Sequence, residues 1–292
     1  MQQKYSLAGL VAGLVAASIW GGMYVVSKVV LEVIPPFSLL TSRLVLGALA
    51  LGMVIAFRKT HTLTRRQALQ SFLVGFVGYG ISLGFQFVGT KLSTASNGSL
   101  VTSATPAFVL LFAPLLLAER TTPRRLFALL ISTLGVVAVI DPRTANLSPS
   151  LFWGNMSLLA AALTWALYSV LVRKVTRSAD LLATSAIMLT GGIPSSLLFG
   201  IWEWQTQGFG EITMGIIGGI LFLGIISTAI AMFLWNYAFA ELPAAVASLT
   251  FFAQPVVGTI LGAFFLGETI STLFIIGGFL IGIGLVVSST ES

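Results

Sequence analysis

The chain has no cysteine among its 292 residues and a single histidine, His61. Without cysteine it has no disulfide framework, no thiol nucleophile and no cysteine-based zinc site. His61 stands in a basic segment, and no set of Ser, His and Asp or cluster of metal ligands accompanies it. The sequence therefore predicts neither a catalytic site nor a metal site, and we expect no cofactor.

Charge is scarce as well. Charged residues make up 8% of the chain, hydrophobic residues make up 57%, and the mean hydropathy is +1.01. A soluble domain of this length cannot cover its surface with so few charges, so the composition predicts an integral membrane protein. The net charge of +6 does not indicate nucleic acid binding, because the basic residues lie in short clusters between apolar runs, as in cytoplasmic loops. The expected surroundings are a lipid bilayer.

The sequence contains about ten apolar stretches, each near the roughly 20 residues that a helix needs to cross a bilayer. They centre on Ala16, Leu46, Gly80, Val109, Leu134, Leu163, Pro194, Ile225, Val257 and Gly282. If the stretches cross in turn, the loops on one side carry eleven Lys and Arg residues and those on the other side carry three. The positive-inside rule then predicts that both termini are cytoplasmic.

The first stretch also resembles a cleavable signal peptide, with Lys4 before an apolar run and small residues near Ala16. Its hydrophobic run continues through Trp20 to Val30, however, and a copy of it occurs in mid-chain around Trp165. We therefore expect the first stretch to be retained as a span.

The chain is an internal repeat. Three residues near the end of the first half recur in the second half at one offset of 149 residues: Pro106, Glu119 and Gly135 as Pro255, Glu268 and Gly284. An offset of 145 residues carries Trp20 onto Trp165 and Lys28 onto Arg173. Copies that each hold an odd number of spans must lie upside down to one another, as in many secondary transporters. The predicted fold is an all-α integral membrane protein of about ten transmembrane helices, built from two inverted five-helix repeats over residues 1–146 and 147–292.

The doubled hydrophobic unit, the Trp in its first helix, Arg43 in its second helix and the recurring Pro, Glu and Gly series resemble the EamA family of the drug/metabolite transporter superfamily. The resemblance covers roughly residues 7–289. It implies a ten-helix basket that moves small metabolites, often amino acids, outward across a bacterial inner membrane. It implies no particular substrate.

The function expected from these observations is a secondary transporter that exports a small-molecule substrate, amino acids first, by alternating access through a central cavity. The alternatives are a carrier of another solute class, such as a nucleoside, sugar derivative or amphipathic drug, and a channel. Since none of the acidic residues lies clearly within a span, we expect facilitated diffusion or exchange rather than proton coupling.

Candidates for the solute pathway are polar side chains and aromatic rings with a polar edge that fall at membrane depth. They are Trp20, Tyr24, Arg43, Tyr79, Ser82, Gln86, Asn97, Trp165, Ser169, Trp235 and Asn236. Trp20 and Trp165 fall near the middle of their stretches, where a residue of an interfacial aromatic belt does not lie. They are expected to line a pocket, or alternatively to serve in plain packing.

Tyr79, Ser82 and Gln86 are spaced at i, i+3 and i+7, which predicts that they share one face of a helix. Aligning the two halves pairs Gln86 with Asn236, each flanked by aromatic residues. An amide can both donate and accept, which suits the ammonium and the carboxylate of an amino acid. The alternative role is hydrogen bonding between helices.

Arg43 is a charge placed within a span, about six residues from the expected outer end of the second stretch. One interpretation is that it snorkels to the interface or binds a neighbouring carbonyl and so fixes helix packing. The other is that it holds a substrate carboxylate or a gating partner.

Paired prolines are candidate hinges. The fourth stretch opens with a polar run that includes Asn97 and ends at Pro106, and its copy carries Pro255 at the matching position. A proline inside a helix removes a backbone hydrogen bond and tends to bend the helix. Bends at matching places are predicted hinges for alternating access, and the alternative is a static kink.

Overall fold

The computed structural model describes residues 6–58, 62–93, 98, 101–140, 151–266 and 272–289. In these residues the chain forms helices and turns and no strand. The helices are α1 (Leu7–Leu31), α2 (Pro36–Phe57), α3 (Arg65–Leu92), α4 (Thr105–Leu117), α5 (Pro123–Ile140), α6 (Phe152–Thr176), α7 (Leu181–Gln207), α8 (Met214–Glu241), α9 (Ala244–Leu249 and Ala253–Leu266, joined by a 3₁₀ turn at Thr250–Phe252) and α10 (Thr272–Ser289).

Six of these helices are long and apolar enough to cross a membrane, namely α1, α2, α3, α6, α7 and α8. Helix α4 and parts of α9 and α10 are shorter apolar segments. The all-helical prediction is therefore confirmed for the described part of the chain, together with several membrane-spanning helices.

Helices of the first half pack mainly on helices of the second half. Helix α1 packs on α8 and α9, and α6 packs on α3 and α4. Helix α2 packs on α7, and α5 packs on α10. This pattern is unchanged when each helix is exchanged for its counterpart in the other half. The two copies therefore meet along the centre of the bundle, where α1, α3, α6 and α8 bury their aromatic side chains.

Helices α3 and α8 each contain a π-helical segment, Phe76–Ser82 in α3 and Phe222–Ile230 in α8. A π-helix forms hydrogen bonds between residues i and i+5, so each of its turns contains more residues than an α-helical turn. The side chains that follow it therefore point in other directions around the helix axis than in a continuous α-helix. Glycine permits the close packing beside this segment: a Cβ at Gly78 would lie 2.3 Å from the ring of Tyr168 in α6.

Lys28 and Arg173, which the offset of 145 residues pairs, have the same role in the two halves. The Lys28 ammonium donates to the carbonyls of Thr90 and Ser93 at the end of α3, at 3.1 and 2.8 Å. The Arg173 guanidinium donates to carbonyls at the end of α8, including that of Phe239 at 3.0 Å. Each cation thus satisfies carbonyls that a helix end leaves without a partner.

Glu119 completes the arrangement on the Arg173 side. One carboxylate oxygen of Glu119 lies 2.7 Å from Nε of Arg173, and the other accepts from the backbone N–H of Ala244 at 3.0 Å. The pair ties the end of α4 to α6 and to the turn between α8 and α9, in agreement with a capping role. Its repeat counterpart, Glu268, lies outside the described residues.

The paired prolines do not lie in helix interiors, which corrects the expectation for Pro106 and Pro255. Pro106 is the second residue of α4, and Pro255 is the third residue of the second segment of α9. In a first turn the missing N–H of proline costs no helical hydrogen bond. In α9, and before α4, a local break in the α-helix comes first and the proline follows it. The candidate hinges are therefore these breaks.

The contact between α3 and α7 gives a test of the packing. A Cβ at Gly75 would lie 1.9 Å from the carbonyl oxygen of Met188, so Gly75→Ala must push the two helices apart. We expect a loss of roughly 1–3 kcal/mol in stability, seen as a lower melting temperature of the purified protein.

Gly52→Ala is the matched control, because nothing lies within 4 Å of a Cβ at Gly52 in α2. Alanine is also a better helix former than glycine by about 1 kcal/mol. Its melting temperature should stay the same or rise, and equal losses in both variants would contradict the packing described here.

Candidate functional site

Three tryptophans meet at the centre of the bundle. The ring centroids of Trp20 and Trp165 are 5.5 Å apart in an edge-to-face arrangement, and Trp235 lies 5.3 Å from Trp20. Phe251 of the 3₁₀ turn in α9 closes the group, at 6.1 Å from Trp20. All four side chains are buried. The structure thus joins residues from α1, α6, α8 and α9 in one aromatic cluster.

A small cavity lies beside this cluster, between α1, α3, α4, α6, α8 and α9. In this conformation it admits about one water molecule. No residue that the structure places along it carries a formal charge. The lining includes four of the predicted candidates, Trp20, Ser82, Gln86 and Trp165.

Tyr24 stands behind the wall and positions Gln86. The Gln86 side-chain nitrogen donates to the Tyr24 hydroxyl at 2.8 Å, and the same hydroxyl is hydrogen-bonded to Thr102 Oγ1 at 2.9 Å. These bonds join α1, α3 and the helical turn that precedes α4. The side chain of Gln86 therefore borders the cavity while its nitrogen is hydrogen-bonded to Tyr24.

A second polar group lies away from the cavity wall. The Tyr168 hydroxyl donates to Asn236 Oδ1 at 2.7 Å, and Asn236 Nδ2 donates to Ser185 Oγ at 3.1 Å. The Tyr79 hydroxyl is hydrogen-bonded to that of Tyr168. All of these groups are buried, and their hydrogen-bonding capacity is used within the protein. This arrangement is typical of helix association in a membrane.

The predicted shared face of α3 is therefore divided. Ser82 and Gln86 border the cavity, whereas Tyr79 turns toward α6 and α7. The cause is the π-helical segment Phe76–Ser82, because the expected spacing assumed an α-helix throughout.

The remaining candidates lie outside the cavity lining in this conformation. Trp235 belongs to the aromatic cluster but not to the cavity lining, and it donates its indole N–H to Ser169 Oγ at 3.0 Å. Asn236, aligned with Gln86 by the repeat, belongs to the second polar group. Asn97 lies outside the described residues.

Arg43 does not snorkel, because its side chain is 0% exposed. Its Nε donates to Thr228 Oγ1 at 2.7 Å, one terminal nitrogen reaches the Ser227 carbonyl at 3.4 Å, and the guanidinium lies 5.1 Å above the Phe87 ring. Within the described residues it has no carboxylate partner. The other terminal nitrogen lies 3.6 Å from the sulfur of Met23, which borders the cavity. A buried cation thus stands one side chain behind the wall.

One acidic residue is more buried than expected. Glu203 in α7 is 4% exposed, and its carboxylate accepts from the backbone N–H groups of Phe37 and Ser38 at 2.8 and 3.0 Å. These are the first N–H groups of α2, which have no partner inside the helix. Glu203 therefore caps α2 and does not border the cavity.

Sequence reasoning missed Gln254, Thr105 and Phe251 as lining residues. Thr105 and Gln254 each precede one of the paired prolines, so the offset of 149 residues relates them as it relates Pro106 and Pro255. The repeat therefore carried a signal for this pair, one position before the prolines themselves.

Comparison with known proteins agrees with this geometry. The model of the family described as "EamA-like transporter family" matches residues 7–140 and, again, residues 152–290. The chain belongs to the EamA-like transporter family. The resemblance found in the Trp, Arg and Pro–Glu–Gly series is thereby confirmed, and this EamA protein is a multi-pass membrane protein of the transporter class.

Two relatives and one solved structure illustrate the match. A protein of Salmonella typhimurium described as "Probable amino-acid metabolite efflux pump" is 28% identical over 94% of this chain and 92% of its own length. An uncharacterized transporter of Bacillus subtilis, YyaM, is 24% identical over 92% of this chain and 89% of its own. A crystal structure that is 20% identical covers 96% of both chains with a TM-score of 0.80, which shows a shared fold.

The two aligned amides should respond differently to loss of their polar groups. Asn236→Leu removes the acceptor of the buried Tyr168 hydroxyl, which keeps its bond to Tyr79, and the donor to the buried Ser185 hydroxyl, which we expect to cost about 1–3 kcal/mol of stability. Gln86→Leu leaves the Tyr24 hydroxyl bonded to Thr102, so the fold should persist while solute binding falls.

Melting temperatures and solute binding of both purified variants test this difference. A lower melting temperature for Gln86→Leu than for Asn236→Leu would show that the assignment of the two amides is reversed.

Proposed function

We propose that this EamA protein is a secondary transporter that exports small metabolites, amino acids first among them, across the bacterial inner membrane. The observation that carries the proposal is the uncharged cavity of aromatic and amide side chains where the two sequence copies meet. Cavities of this composition, with few placed polar groups, are typical of small-molecule sites. The Salmonella relative described as a probable amino-acid metabolite efflux pump supports this substrate class.

The proposed architecture has two inverted five-helix repeats, residues 1–146 and 147–292. In it α4, α5, α9 and α10 also cross the bilayer, and both termini are cytoplasmic. Support comes from the helix packing, which has the same pattern when each helix is replaced by its counterpart in the other half, and from a family model that matches each half separately. The excess of Lys and Arg in alternate loops supports the orientation.

In the proposed mechanism the cavity opens to the two sides of the membrane in turn. In the described conformation the Glu119–Arg173 pair holds α4, α6 and the α8–α9 turn together, at the end of these helices that we assign to the cytoplasm. With room for about one water molecule, the cavity in this conformation corresponds to a closed form, and it must widen to admit a solute. The breaks before Pro106 and Pro255 give α4 and α9 places to bend during this change.

The side chains along the cavity suit an amino acid. Trp20, Trp165 and Phe251 provide faces for an apolar side chain, and the same ring faces attract an ammonium group. Gln86 offers an uncharged polar contact. Transport coupled to protons needs a titratable group in the path, and the described lining contains no acid or histidine.

Counterflow in proteoliposomes tests the function. Vesicles that contain the purified protein and unlabelled leucine or phenylalanine should accumulate the labelled amino acid against its gradient, because exchange requires one site that faces each side alternately. A channel would equilibrate the label without overshoot, and empty vesicles provide the background.

The same vesicles test energy coupling. Since the described lining has no titratable acid or histidine, an imposed pH gradient should leave the initial rate of amino-acid flux unchanged. Proton movement stoichiometric with the amino acid would contradict exchange or facilitated diffusion.

A further inference from the structure

The cavity wall contains hydrogen-bonding groups that no protein atom uses. Gln254 is 1% exposed, and neither its side-chain nitrogen nor its oxygen has a hydrogen-bond partner. Its amide N–H is only a weak donor to the Tyr24 hydroxyl, so most of its hydrogen-bonding capacity remains unused. The indole N–H of Trp165, which is 6% exposed, also lacks a partner. Both residues border the cavity.

Such groups are costly inside a membrane protein, because hydrocarbon offers nothing to bond. The fold satisfies comparable groups nearby: the N–H of Trp20 donates to the Ser227 carbonyl at 3.0 Å, and that of Trp235 donates to Ser169. Trp165 is the repeat counterpart of Trp20 and borders the same cavity, yet its N–H remains unused. The unused groups of Gln254 and Trp165 thus both border the cavity.

The buried groups that the protein leaves unused at the wall include three N–H donors, two of Gln254 and one of Trp165. The hydroxyl of Ser82 already donates to the Ala161 carbonyl at 2.8 Å, and that of Thr102 already donates to the Gly98 carbonyl at 2.6 Å. The Trp165 indole is a donor alone, and the Gln254 amide adds two N–H groups and one acceptor oxygen. These three N–H groups suit an anionic or strongly accepting group.

Charge favours the same ligand. The Arg43 guanidinium lies behind Met23 without a carboxylate partner in the described part of the chain, and no acidic side chain borders the described cavity. An uncompensated cation in a medium of low dielectric constant gives the cavity a positive potential. A bound carboxylate would neutralise this positive potential, whereas an ammonium group without a carboxylate would be repelled by it.

We propose that Gln254 and Trp165 form a subsite for the carboxylate of the transported solute, with Arg43 as a charge that favours the anion from behind the wall. The inference rests on the proposed function and defines its substrate class: solutes that carry a carboxylate and an apolar remainder, neutral α-amino acids among them. The N–H groups of Gln254 and Trp165 donate to the carboxylate. The aromatic cluster receives the apolar side chain.

The first experiment compares ligands that differ only in the carboxylate. Leucine and phenylalanine are titrated against the purified protein, beside 3-methylbutylamine and 2-phenylethylamine, which keep the side chain and the amine. Calorimetry or tryptophan fluorescence gives the dissociation constants. The acids should bind at least about tenfold more tightly, the ratio expected for one net hydrogen bond to a charged group.

The second experiment changes Gln254. Gln254→Leu keeps the approximate volume and removes the amide, and should weaken the acids about tenfold while leaving the amines unchanged. Gln254→Glu places a negative charge at the subsite, and should weaken the acids further and strengthen the amines. A purely structural role for Gln254 would move acids and amines together in both variants.

Ser132→Ala is the matched control. Ser132 is fully buried in α5, its hydroxyl also lacks a partner, and it packs on Gly284 of α10, outside the cavity lining. The substitution removes an unused buried polar group without touching the subsite, so the affinity for the acids should not change. Melting temperatures of all variants confirm that they are folded.

The outcomes separate the two proposals. Equal affinity for acids and amines, or equal losses for both in Gln254→Leu, would overturn the carboxylate subsite and leave the transporter proposal intact. If the wild-type protein neither binds leucine or phenylalanine nor exchanges them in counterflow, the amino-acid assignment is overturned, and the subsite with it.

Discussion

Inside a bilayer a polar side chain that protein atoms do not satisfy is costly, because hydrocarbon provides no hydrogen-bond partner. This chain meets the constraint by collecting its polar side chains at the centre, in groups such as Tyr24 with Gln86 and Tyr168 with Asn236. Large apolar side chains such as Leu115 and Phe279 remain on the outside. The helix packing, the exclusion of charge from the cavity wall and the choice of candidate site all follow from this separation. Polar groups that break the rule beside the cavity therefore indicate where a solute belongs.

The two sequence copies share a framework but differ in the site. Lys28 and Arg173 bind the carbonyls at corresponding helix ends, so the repeat fixes how the helices are held. At the centre the copies diverge, because the N–H of Trp20 is satisfied and that of Trp165 is not. A solute with two chemically different ends requires such asymmetry, since a site with full twofold symmetry would offer the same groups to both.

The sequence predicted the class, the family and the central tryptophan pair, because composition and repeat offsets are properties of the chain alone. It did not predict which way each polar side chain faces. Hydropathy places Arg43 within a span but does not show that it turns inward, and helical spacing fails for Tyr79 because α3 contains a π-helical turn. The breaks that put Pro106 and Pro255 in first turns are likewise not marked by hydropathy. The sequence thus predicted which residue types lie at membrane depth, whereas the direction in which each side chain points around its helix required the structure.

The central claim is that one chamber between the two copies faces the two sides of the membrane alternately. The natural absence of cysteine permits a direct measurement, with one cysteine introduced at Ala161 on the cavity wall and another, separately, at the exposed Thr62 before α3 as a control. A membrane-impermeant thiol reagent is applied to right-side-out and to inside-out vesicles, with and without leucine. The account predicts that the cysteine at position 161 reacts from each side and that leucine slows both reactions, while the control is insensitive to leucine. Reaction from one side alone, or rates that leucine does not change, would contradict it.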